Sequence, residues 1–297
     1  MLLKTGDYAM IIEEQTFDQE RALYGAKDVL VKNCRFDGPA DGESALKESS
    51  NIQVSSCFMN LRYPFWHVDK ATISKTEFTE NCRAALWYDK NICIEQSKLY
   101  GIKALRECEN VTLKNCTVNS TEFVWKCHKL LLDSVVIEQS EYPFFEVSNA
   151  NIHNLTMKGK YSFQYNENIE IDNSHLDTKD AFWHTKNVTV KNSVIKGEYL
   201  GWYSENLTLI NCRIIGTQPF CYCKNLVLKN CTMEQCDLSF ERSSVHAEIC
   251  GSIDSVKNPL EGKIVADCIG SVILEESVCD KTKTEIICRN GECGKCA

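Results

Sequence analysis

Asn110-Val111-Thr112-Leu113-Lys114-Asn115-Cys116 decides the reading of this chain, because the phrase returns as Asn206-Leu207-Thr208-Leu209-Ile210-Asn211-Cys212 and as Asn225-Leu226-Val227-Leu228-Lys229-Asn230-Cys231. Apolar residues at its second and fourth places, with mostly polar ones between, form a period-two pattern that buries one face of a short strand. Outward from it, repeats start at Asp28, Asn51, Lys70, Asn91, Asn110, Lys129, Asn149, Asn168, Asn187, Asn206, Asn225 and Ser244, most of them 19 residues apart. Met10, Ile12, Phe17 and Leu23 fit a degenerate leading turn. Two further apolar columns keep the same period: Phe36, Met59, Phe78, Leu99 and Val118 eight residues after a start, and Phe65, Leu86, Leu105, Val124, Phe144, Phe163 and Phe182 five residues before the next one. A turn with three apolar strand faces cannot enclose a core alone. Turns stacked one strand spacing apart, about 4.8 Å, enclose a continuous one.

The expected fold is therefore all-β, a single-stranded parallel β-helix (solenoid) of about 12–13 turns. Residues 1–27 form an N-terminal cap and degenerate first turn, 28–253 the β-helix, and 254–297 a C-terminal cap and Cys-rich tail. A leucine-rich-repeat horseshoe shares part of the pattern but wants leucine three residues before the first apolar position, where this chain has Ala26, Ser49, Asp89, Cys108 and Thr185. A helix of hexapeptides fails on the period. Over residues 9–253 the Asn-rich turns resemble the right-handed β-helix of the pectate-lyase-like superfamily. Within it, the repeated phrase is similar to an uncharacterised bacterial family of unknown function. The resemblance implies a right-handed coil and leaves the chemistry open, since function lives in sites grafted on folds.

Lys plus Arg number 33 against 41 Asp plus Glu, a net charge of -8 in 297 residues, which disfavours a nucleic-acid partner. No stretch has the roughly 20 apolar residues that span a bilayer, so no membrane partner is expected. The first residues, MLLKTGDYAM, lack the long apolar core of a secretion signal, and 18 cysteines are too few for a disulfide-built scaffold. The expected location is the cytoplasm, with mostly free thiols. Asn at the first and sixth places of the phrase suits tight bends and can pass hydrogen bonds from turn to turn. Cys34, Cys57, Cys116, Cys212, Cys231 and Cys250, interleaved with Thr76, Ser97, Ser174 and Ser193, read as small inward fillers.

All five tryptophans, Trp66, Trp87, Trp125, Trp183 and Trp202, stand four residues before the next repeat start, with Tyr24, Phe145 and Phe240 assigned to the same column. The column also holds Lys47, Arg106 and Gln164, and an unpaired charge inside a narrow coil would be costly. The indoles are therefore expected to face outward while their immediate predecessors face inward. Beside them follow His67, Tyr88, Glu107, Lys126, Glu146, Tyr165, His184, Tyr203 and Tyr222. Trp66, His67, Trp87, Tyr88, Arg106, Trp125, Trp183, Trp202, Tyr203 and Tyr222 are the candidate binding residues, for an elongated, saccharide-type ligand or for a second protein chain. A weaker third reading is a carbohydrate-active hydrolase or lyase, with Glu107, Glu146 and His184 as candidate catalytic groups. The acidic and basic motifs that active members of the superfamily carry on consecutive turns are absent, and Glu107, Lys126 and Glu146 read more simply as an ion-pair stack. The acidic stretch Asp37–Glu43 reads as a solvated loop that lacks a calcium-binding spacing. Cys288, Cys293 and Cys296 have the spacing of three iron-sulfur or zinc ligands with no complete set of four, so no cofactor is fixed.

Overall fold

In one turn after another a six-residue strand lies in parallel register on its successor: Ile92 on Val111, Ile94 on Leu113, Val188 on Leu207 and Val190 on Leu209. These side chains are almost fully buried. A shorter strand follows, stacking Phe36 on Met59, Leu99 on Val118 and Ile195 on Ile214. A third segment places Phe65, Leu86 and Leu105 on one another. Three walls of identical columns thus close on an apolar interior. The computed structural model describes residues 8–38 and 43–291. It is an all-β parallel β-solenoid of right-handed type with about 14 turns and no helix among the described residues. By its internal contacts the chain divides into two compact units, Met1–Thr156 and Met157–Ala297.

In the first unit the register begins where Met10–Glu13 pairs with Val29–Lys32, and Phe17 stacks on Phe36 at 5.0 Å. In the second, it runs on past the last legible repeat. Ser244 pairs with Glu261 and Gly262 with Thr284, through turns of 17 and 22 residues that lack the Asn phrase. Turns whose lengths leave the 19-residue period are invisible to a periodicity argument.

The bends explain the Asn phrase and a good deal beyond it. Asn110 and Asn115 have φ of 58° and 53°, Asn206 and Asn211 of 56° and 54°, in the left-handed region that Asn tolerates best. Each bent residue still donates its backbone N–H to the next turn, as Asn115 does to the Asp133 carbonyl (3.0 Å) and Asn192 to that of Ile210 (2.9 Å). Their side chains bond one another along the stack. Asn225 donates to Asn206 (3.1 Å), Asn206 to Asn187 (2.8 Å) and Asn187 to Asn168 (3.0 Å). An amide carries both a donor and an acceptor, so a column of one residue type satisfies itself.

The residue after the second Asn turns inward and closes the bend. Cys116 Sγ donates to the carbonyl of Lys114 (3.3 Å) and Cys212 Sγ to that of Ile210 (3.3 Å), while Ser97 and Ser193 hydroxyls donate to Glu95 (2.8 Å) and Lys191 (2.6 Å). Thiol and hydroxyl share the column because both reach the carbonyl two residues back; Cys250, expected in the same column, is instead exposed and donates to the Asn230 side chain (3.1 Å). Burial pushes the Cys57 thiol up to about 11, far from the reactive thiolate.

Among the interior side chains that are not apolar, Ser49, Asn166, Thr185 and Ser204 included, one is a carboxyl with no exposure. Asp89 is completely buried; its Oδ1 accepts the Val68 N–H (2.8 Å) and its Oδ2 has no partner. Burial, reinforced by Cys108, holds this carboxyl well above the usual carboxylate range, so the folded chain keeps it neutral. An unfolded Asp ionises above about pH 4, so the unfolded state binds fewer protons and stability falls as pH rises from there. Asp89→Asn keeps the acceptor without the ionisation. The variant is expected to flatten the decline between pH 5 and 8 and to raise the thermal midpoint at pH 7, at about 2–4 °C per kcal/mol recovered. Calorimetry at several pH values checks this; an unchanged slope would show that Asp89 is not its source.

Candidate functional site

The third segment of each turn makes the outer surface by a local backbone device. Phe65, Phe144 and Phe182 are buried, and the next residues Trp66, Phe145 and Trp183 are half-buried on the outside. The following residue then adopts the left-handed conformation: φ is 57° at His67, 59° at Tyr88, 53° at Glu107, 56° at His184, 59° at Tyr203 and 61° at Tyr222. Straight-strand alternation would send that residue back inside; the bend keeps it outside and returns the one after it, such as Val68, Asp89 or Thr185, to the core. Two adjacent outward columns result, an indole column and an outer row. Phe240 is a correction to the column assignment. It is fully buried and stacks on Phe220 (6.3 Å), because the turn between them carries one extra residue and shifts the phase.

In the first unit the indole column is built of rings with two cations set among them. Lys47 Nζ lies 4.1 Å from the Trp66 ring centre, Trp66 stacks on Trp87 (5.5 Å, 10°), and the Arg106 guanidinium sits 5.7 Å from Trp87 and 5.4 Å from Trp125. Trp125 packs on Phe145 at 4.8 Å. Such cation–ring contacts contribute about 0.5–2 kcal/mol each. Beside them, His67 stacks on Tyr88 at 5.0 Å and 8°. In the second unit Trp183 stacks on Trp202 (5.4 Å, 6°), and the outer row runs Tyr165, His184, Tyr203, Tyr222 at 4.9, 4.9 and 4.8 Å, tilted by no more than 10°. Rings stacked at the strand spacing cover one another's faces and present their edges. Tyr165 is 51% exposed and Tyr203 46%.

Three indoles are locked by their N–H groups. Trp125 donates to the Tyr142 carbonyl (2.7 Å), Trp183 to that of Tyr199 (2.7 Å) and Trp202 to that of Gln218 (2.9 Å). Each acceptor stands three residues before the next member of the column. The Trp66 and Trp87 N–H groups are buried without a hydrogen-bond partner, and the two indole rings lie 5.9 and 6.1 Å from the Tyr63 ring, centre to centre. Tyr63 and Tyr199 occupy that same acceptor position. The sequence reading missed this column, although its register with the tryptophans was there to be seen.

The candidate acidic groups are held by separate cations. Glu107 faces Arg106 (3.4 Å) and Glu146 faces Lys126 (3.6 Å). Arg106 and Lys103 both also meet Glu122, at 3.7 and 3.3 Å. His184 is flanked on both faces by tyrosine rings. Of the C-terminal thiols, Cys288 is disulfide-bonded, and Cys293 and Cys296 lie outside the described residues. Residues 39–42 of the acidic loop lie outside them too; at its edges Asp37 accepts from Asn60 and Arg35, which hold its carboxyl below the usual range.

Residues 10–287 match a family described as protein of unknown function (DUF3737). No curated protein matches the chain in sequence. Among solved structures it is similar to PfbA, a surface adhesin of Streptococcus pneumoniae, at 9% identity over 78% of this chain and 72% of that one, with a TM-score of 0.34. It is also similar to the mannuronan C-5 epimerase AlgE4 A-module of Azotobacter vinelandii, at 11% identity over 98% and 92% with a TM-score of 0.31. The catalytic domain of a GH87 alpha-1,3-glucanase is similar at 9% identity over 93% and 63%, again with a TM-score of 0.31.

The contrast among the indoles is measurable. Trp183→Phe removes a made hydrogen bond, whereas Trp87→Phe removes a buried donor that has none. Guanidinium unfolding is expected to show the first variant losing about 0.5–1.5 kcal/mol more than the second. Equal losses would mean that the N–H bond does not anchor the ring.

Proposed function

The chain belongs to the DUF3737 family, and from that premise we propose that it is a non-catalytic binding protein whose outer aromatic row holds an elongated, saccharide-type ligand by its ring edges. One observation carries the reading: four rings of the second unit repeat at 4.8–4.9 Å with phenol and imidazole edges outward. A row of donors and acceptors at constant spacing suits a ligand that repeats its hydroxyls along its length. The indoles behind it are held by carbonyl bonds, so little side-chain freedom is lost on binding. Contact is by hydrogen bonding at the rim rather than by stacking on ring faces, since within the row the faces are already covered. The proposal sets the protein in the cytoplasm, on the strength of fifteen free thiols among the described residues against the one disulfide-bonded cysteine there, Cys288.

Because Trp202 touches both Tyr203 and Tyr222, its emission is expected to report occupancy. Titration of the protein with a glycan library should change that emission, and Tyr203→Phe, which removes one hydroxyl, should weaken binding about tenfold. A library without any response, with Tyr203→Ala dissociating a dimer by light scattering, would replace the ligand with a second copy of the chain.

A further inference from the structure

The outer row of the second unit does not run on indefinitely. Tyr222 is its last ring: Tyr203 covers one face at 4.8 Å, Trp202 meets its edge, and among the described residues no further ring is stacked on the opposite face. At this point a groove of about 670 Å³ opens between the Tyr222 corner and the segment from Val278 to Lys283. Its walls carry Lys224, Arg242 and Lys283 together with Glu205, Glu261 and Asp280.

Several opposite charges on neighbouring turns of this unit close into ion pairs, as Lys179 does with Glu198 (3.1 Å), Lys196 with Asp177 (3.6 Å) and Arg213 with Glu234 (2.6 Å), while others in register, such as Glu167 and Lys186, do not. Among the described residues Lys224, Arg242, Lys283, Glu205 and Glu261 form no ion pair, although Glu205 and Lys224 are in register on adjacent turns. Asp280 is engaged locally by the Thr282 backbone N–H (3.0 Å) and hydroxyl (2.7 Å). Three cations and three carboxylates leave the lining without net charge. A bound anion would face the carboxylates and a bound cation the ammonium and guanidinium groups. An uncharged ring bearing several hydroxyls donates to the carboxylates and accepts from the cations.

We propose that this groove is an end subsite: it takes the terminal, uncharged sugar ring of the ligand, its C–H face on the side of Tyr222 away from Tyr203 and its hydroxyls on Arg242, Lys224, Lys283, Glu205 and Glu261. The proposal rests on the saccharide reading of the row and adds that the protein recognises a chain end. The segment from Val278 to Lys283 walls the groove and stops the ligand there.

The test is titration calorimetry of the full chain with neutral gluco-oligosaccharides of one to eight residues, their polymer, and a uronate series of equal lengths. Wild-type protein is expected to bind the neutral oligosaccharides, with affinity per chain end that stops rising after about four residues, the number of rings in the row. Tyr222→Ala and Arg242→Gln, both at the surface, should each weaken binding at least tenfold, while circular dichroism stays unchanged. If Tyr203→Ala abolishes binding and these two variants leave it intact, the end subsite is wrong and the row stands. If affinity keeps rising with length up to the polymer, the chain end is not what is recognised. Tighter binding of the uronates overturns the uncharged ligand, and no binding by any probe overturns the end subsite together with the row.

Discussion

Parallel, in-register stacking is the constraint from which the rest of this molecule follows. Each residue lies on its counterpart one turn earlier at roughly the 4.8 Å strand spacing, so every column must be compatible with itself. Aliphatic residues meet this condition by packing, as in the Ile92–Val111 and Val188–Leu207 pairs. Amides meet it because each is donor and acceptor at once, as from Asn168 to Asn225. Charges meet it by alternation, as where Lys179 faces Glu198 and Lys196 faces Asp177. Conformational strain enters at the bends, where residues such as Lys70, Tyr88 and His184 accept left-handed angles. A non-glycine residue there costs about 1–2 kcal/mol, offset when its N–H still bonds the next turn, as His184 does with the Trp202 carbonyl (3.0 Å).

The same constraint makes the aromatic columns rigid. Rings in adjacent turns have no room to lie flat on the wall, so they stack face to face and turn their edges outward. Cations fit between rings for the same reason: Lys47 and Arg106 take positions a ring would otherwise occupy and keep the column continuous. The surface is therefore a set of preformed polar edges backed by immobile indoles, and its chemistry is that of the phenol and imidazole rim.

Departures from self-compatibility mark the places of interest. Asp89 is a carboxyl in a buried column of otherwise uncharged residues, such as Val68, Cys108, Asn166 and Thr185, and stays neutral to remain there. The groove at Tyr222 is where the ring column stops and cations and carboxylates stand together without closing into ion pairs. Both lie where a repeat has been broken, and a broken repeat is where a solenoid acquires an individual chemistry.

Much of this was legible in the sequence. The Asn-hydrophobic-x-hydrophobic-x-Asn phrase gave the period, the alternation gave the buried faces, and Lys47 and Arg106 in the tryptophan column gave its outward phase. All of these are local, repeated features, and stacking merely copies them. Three-dimensional structure alone decided what repetition does not contain. The left-handed bend at His67, Tyr88 and their counterparts places two neighbouring columns outside where simple alternation allows one. The one-residue shift that buries Phe240, and the 17- and 22-residue turns after Ser244, break the period that the sequence argument relied on. The groove brings Lys224, Arg242 and Lys283 together from separate turns and an irregular segment, and no spacing along the chain announces such a meeting. A column can be read from residues at constant separation, whereas a site built across columns exists only once the coil has closed.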